Sequence, residues 1–174
     1  MDDAAKASRQ SAIEEAAFAL LTERGFEATS MLAVAKAARA SNETLYRWYG
    51  DKVGLFGALV ARNAAEVARG LEGPLDQVLI ALLTMLTGPR AVALNRAAAA
   101  DASGALGEAL AKSGRETVLP RLEALLGDQA ELLLRLVIGD WQIRRATGAM
   151  AQPDAETIAA RVAEGVALWH RLRD

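Results

Sequence analysis

No cysteine occurs in the 174 residues, which excludes disulfides, thiolate catalysis and thiolate metal sites. Histidine occurs once, as His170. Asp174 is the one carboxylate three or four positions from it, too few ligands for a zinc site, so a surface or interface role is predicted. There is no Ser/His/Asp arrangement, Gly-rich phosphate loop or HExxH pattern. Nothing therefore supports an enzyme, and no cofactor or metal is called for. A basic tail is missing too. The net charge is −2, and no Lys/Arg run of the kind that grips nucleic acid indiscriminately is present. No stretch approaches the ~18–20 apolar residues needed to cross a bilayer, and MDDAAKASRQ at the start has no signal-peptide core. A soluble, cytoplasmic protein with no membrane partner is predicted.

Aromatic residues are scarce, 5% against a hydrophobic share of 52%, so Ala, Leu and Val carry the apolar side. That composition favours helices, in one compact unit or in a small reader plus a larger body. Ile13, Ala16, Ala17, Leu20 and Leu21 recur at helical spacing, and Gly25 stands where a helix ends. A later helix, 53–70, points Leu55, Phe56, Leu59, Val60 and Val67 inward and ends near Gly70. Pro74 suits the first turn of the next one. Gly88-Pro89 separates that helix from the Ala-rich segment 90–102. Residues 103–127 are less regular, and Pro120 either starts a helix or kinks one. Asp128–Gly148 and Asp154–Arg173 each read as one long helix. The prediction is an all-α fold of about nine helices, with no strand and no internal repeat.

The stretch Thr29–Lys52, TSMLAVAKAARASNETLYRWYGDK, reads as two short helices around a sharp turn at Arg39–Ala40. Met31, Val34, Ala35 and Ala38 share the apolar face of the first. Ser41 is a good N-cap for the second, which turns Leu45 and Tyr49 inward. Asn42, Thr44, Tyr46, Arg47 and Trp48 lie on its other side, and Lys52 follows. Such a helix, braced by a partner, fits a major groove, with early residues on base edges and later ones on phosphate. The charge balance is unusual for that task. Residues 1–52 hold seven Lys/Arg and eight Asp/Glu, whereas nucleic-acid domains are commonly basic. Few phosphate contacts and weak non-specific binding follow.

These residues resemble the TetR/AcrR-type repressors. The likeness rests on Thr29-Ser30, on Val34-Ala35-x-Ala37-Ala38 and on Ser41-x-x-Thr44-Leu45-Tyr46-x-Trp48-Tyr49-x-x-Lys52. It continues upstream through Ala16–Leu21 and Glu23-Arg24-Gly25-Phe26, covering roughly residues 9–60. The resemblance implies a helix-turn-helix domain over 1–52 and a helical ligand-binding and dimerisation domain over 53–174, with 53–70 as connector. It implies a ligand-released repressor acting as a homodimer on a palindromic double-stranded operator. Thr29, Ser30, Arg39, Ser41, Asn42, Thr44, Tyr46, Arg47, Trp48 and Lys52 are the DNA-binding candidates. The alternative is a helical interaction protein of the same fold that lacks effector binding or has lost DNA binding.

Three positions depart from the family pattern. Arg39 stands where Gly is usual, because the turn tends to need φ > 0; it is either an altered turn or an added phosphate contact. Glu43 occupies a position usually held by Gly or Ala; it either accepts from a cytosine amine or is merely solvated. Leu32 replaces a polar residue. For an unidentified small-molecule effector the candidate lining is Met85, Leu86, Asn95, Arg96 and Trp141, although for Trp141 an interface anchor or core residue is the preferred reading. The candidate dimer interface is Leu134, Ile138, Ile158, Val162, Val166 and Trp169.

Overall fold

The computed structural model describes residues 3–173; Asp174, the carboxylate noted beside His170, lies outside them. The chain is all-α, as its composition demands. The elements are α1 (Asp3–Ala28), α2 (Met31–Ala37), α3 (Asn42–Tyr49), α4 (Lys52–Arg69), α5 (Leu75–Thr87), α6 (Pro89–Ala100), α7 (Ala105–Ser113), α8 (Leu119–Leu126), α9 (Ala130–Ile138), α10 (Trp141–Thr147) and α11 (Ala155–Arg171). No single helix among the described residues is long and apolar enough to cross a membrane.

The helices divide into two compact units, residues 1–62 with 93–110, and 63–92 with 111–174. The packing boundary thus differs from the sequence boundary at residue 52. The first unit takes the opening turns of α4 and a segment from α6 and α7. Its core joins Ile13 and Ala17 of α1, Val34 of α2, Leu45 of α3 and Phe56 of α4, all almost fully buried. Phe26 meets Phe56 edge to face at 5.3 Å, a preferred aromatic geometry. In the second unit, Leu79 and Leu83 of α5 pack with Val137 of α9 and with Ile158, Val162 and Trp169 of α11. A neighbouring cluster gathers Val67, Val78, Leu82 and Leu122.

Local sequence explains most boundaries. Gly25, at φ 77°, breaks α1 before its last turn. Ser30 and Ser41 cap α2 and α3, and Asp154 caps α11. Pro74 sits one position earlier than predicted, as the N-cap of α5. Of the two alternatives for Pro120, the structure takes the first: α8 starts at Leu119, directly before it. A π turn at Gly114–Val118 carries α7 into α8, and Pro120 follows directly in the first turn of α8. The wider turn accommodates the missing N–H and the ring, which an α-helix interior would not tolerate.

The long helix predicted over 128–148 is two helices. Gly139 adopts φ 51° and ends α9, with Asp140 leading into α10. A guanidinium fills the corner. Arg161 of α11 donates from Nε to Val137 O at 3.0 Å and from an Nη to Leu136 O at 2.7 Å. It thereby satisfies two of the carbonyls that every helix C-terminus leaves open. A Cβ at Gly139 would stand 2.8 Å from that Nη. One turn further along α11, a Cβ at Gly165 would come within 2.8 Å of a Val137 methyl and 3.2 Å of its Cα. Both glycines are there so that α9 and α11 can touch backbone to side chain.

Candidate nucleic-acid interface

The second helix of the motif is held from both ends. At its start Ser41 Oγ accepts the Thr44 N–H at 3.0 Å and shares a 2.8 Å hydrogen bond with Thr44 Oγ1. At its end the Tyr49 hydroxyl donates to Glu14 Oε1 at 3.3 Å, and Glu14 is paired in turn with Arg62 of α4 at 2.9 Å. Burial, and then the Glu14 carboxylate, hold the Tyr49 phenol above its usual titration range. Leu45 seals the underside at 0% exposure. With the inside and both ends fixed, the outside is fixed too. At about 100° per residue, Asn42, Tyr46, Glu43 and Arg47 fall within an arc of roughly 140°, and all four are exposed.

The other DNA-binding candidates divide. Ser30 is exposed, and its oxygen caps the Ala33 N–H. Ser41 and Thr44 share one hydrogen bond between their hydroxyls, which leaves one of the two O–H groups able to donate elsewhere. Trp48 is half-buried and packs on the core. Lys52 lies 4.0 Å over the Phe26 ring and donates to Glu27 O at 3.3 Å. Thr29 is a correction: it is 1% exposed, with its hydroxyl donated to Gly25 O at 2.8 Å. Its side chain fastens the approach to α2 and has no outward face. Leu32, by contrast, is an exposed apolar residue on α2.

Arg39 is the one non-glycine residue at positive φ among the described residues, at 51°. Its side chain is exposed, and its carbonyl accepts from Arg9 at 3.2 Å. Left-handed backbone is costly for a residue with a Cβ. Arg39→Gly is therefore expected to raise stability by about 0.5–1 kcal/mol, read as an increase of about 1–4 °C in Tm. DNA affinity separates the two readings of this residue. A variant that is more stable and binds as before leaves only the turn. A loss on all duplexes, with a shallower salt slope, identifies a phosphate contact.

The effector candidates fall in both units, and the interface candidates differ in burial. Met85 and Leu86 are half-buried beside the Val67 cluster, while Trp141 packs against the Leu79 cluster. Asn95 and Arg96 belong to the other unit. Ile158, Val162 and Trp169 are 3%, 2% and 5% exposed. Their stripe is covered by α5 and α9 of the same chain, so these three are core and not interface. Leu134, Ile138 and Val166 are half-buried. His170 is exposed and stacks on Trp169, 4.9 Å between centroids.

Known proteins carry the same arrangement. Residues 13–59 match the family model described as bacterial regulatory proteins, tetR family. A TetR transcriptional regulator from Agrobacterium tumefaciens is 30% identical, covers 94% of this chain and 93% of its own, and superposes with a TM-score of 0.75. The chain belongs to the TetR family. The flavonoid-responsive regulator FrrA is 25% identical over 95% of this chain and 97% of its own, at a TM-score of 0.70. A protein from Mesorhizobium loti assigned to the TetR family reaches 0.78 at 21% identity, over 95% and 96% of the two chains. No curated protein matches the sequence. The family is one of transcriptional regulators.

Proposed function

We propose that the protein is a sequence-specific transcriptional repressor that binds a palindromic operator as a homodimer and is released by a small molecule. The observation that carries this is the outward face of α3: four polar or charged side chains on a short helix clamped by Ser41, Glu14 and Leu45. A rigid helix of this length presents its face to base edges without reorganising, and a two-fold pair of them reads two half-sites. Exposed apolar side chains support the dimer. Leu132 on α9, Leu168 on α11 and Leu172 just past its end leave apolar surface uncovered. The response of FrrA to flavonoids supports a small-molecule effector for this fold. Such an effector acts only through different affinities for the two conformers.

The test is binding to duplexes from the DNA flanking the protein's own gene, at low salt. The wild-type chain shifts one fragment in preference to random DNA. Arg47→Ala weakens binding to cognate and random duplexes alike, and lowers the salt slope by about 1. Asn42→Ala weakens the cognate complex alone. The reading fails if no fragment is preferred and Arg47→Ala changes nothing. Lys52 is a poorer probe than Arg47, since its removal also uncovers Phe26.

A further inference from the structure

Glu43 stands in the middle of the outward face of α3, between Tyr46 and Arg47, with its side chain 85% exposed. A carboxylate on the face that would meet DNA phosphates calls for a reason. Helix capping does not supply one. Ser41 Oγ already accepts the Thr44 N–H, and the position from which a Glu reaches back to the cap is the third of the helix, which Thr44 holds. A favourable interaction with the helix N-terminus remains, but it is indifferent to any DNA in front of it.

We infer that Glu43 is a specificity-determining residue that selects cytosine in the operator half-site. The inference rests on the DNA-binding reading above and deepens it. A carboxylate only accepts hydrogen bonds. Along the major groove the acceptors are guanine O6 and N7, adenine N7 and thymine O4, and each of them repels it. The donors are the N4 amine of cytosine and the N6 amine of adenine. Adenine sets its N7 acceptor beside that amine, where the second carboxylate oxygen would meet it. Cytosine has only a C–H there. Arg47, with its guanidinium 3.8 Å from the Glu43 carboxylate, offsets the repulsion between that carboxylate and the phosphates. Thr44 in the same turn is half-buried, so Asn42 and Glu43 are the fully exposed polar groups of the first turn.

The experiment is selection of binding sites from a random duplex pool by the full-length wild type, by Glu43→Gln and by Glu43→Ala. The wild type fixes a cytosine at one position of each half-site, preferring it about ten- to hundredfold over the other bases. Glu43→Gln moves the preference at that position to adenine, which a side-chain amide reads through N6 and N7. Glu43→Ala accepts any base there and keeps the rest of the site. Three proteins selecting the same site, with Glu43→Ala merely tighter on every sequence, would overturn the inference and leave DNA reading intact. A wild type that enriches nothing would overturn both.

Discussion

Leu45→Ala is expected to lower the stability of the chain by about 2–5 kcal/mol, a large share of the ~5–15 kcal/mol by which a domain is usually folded. Leu45 is completely buried. It belongs to a cluster contributed by α1, α2, α4 and short parts of α6 and α7, so no flexible surface is there to close over the hole. Helix α3 has eight residues, too few to hold itself together in water. It exists because its inner face is packed. Removing Leu45 is thus a test of the whole reading platform, made by urea denaturation alongside operator binding. Tyr46→Ala, one position away and exposed, should stay within about 0.5 kcal/mol of wild type and act on DNA binding alone. A Leu45→Ala loss below about 1 kcal/mol would mean that the inner face of α3 does not bear on the core.

Arg161→Met is expected to cost about 2–3 kcal/mol. The guanidinium makes two charge-assisted bonds to the last carbonyls of α9 and a third contact with Glu164 at 3.0 Å. Methionine keeps much of the apolar stem and supplies no donor, so both carbonyls lose their partner at a half-buried site. Arg161→Lys is the informative control. A single ammonium cannot serve two carbonyls in the fixed fork of a guanidinium, so Lys should recover less than half of the loss. Thermal denaturation of both variants checks this; equal stability of Lys and Arg would reduce the role of the side chain to its charge.

How much of this was legible in the sequence depended on whether a signal was local. The start of α3 was readable because Ser41 and the spacing of Leu45 and Tyr49 agree, and all three act within one helix. The break at Gly139 went unread because Leu133, Val137 and Trp141 keep an apolar rhythm across it, although Gly followed by Asp is a stop and a start. The π turn before Pro120 has no compositional mark. For Ile158, Val162 and Trp169 the stripe was readable, but a stripe does not say what covers it. Here the cover is α5 and α9 of the same chain, which a periodic pattern cannot distinguish from a second copy. Thr29 failed for a similar reason: a hydroxyl before a helix looks outward-facing until Gly25 O is found 2.8 Å away.

The hydroxyl pair at the start of α3 also bears on the heat of association. Ser41 and Thr44 fix the first turn of the helix before any partner arrives, so ordering this segment is charged to folding and not to binding. The large negative heat-capacity change of coupled folding then has no source in α3. Whatever change a calorimeter records on mixing this protein with DNA comes from surface dried at the contact, from ions set free, or from segments elsewhere in the chain.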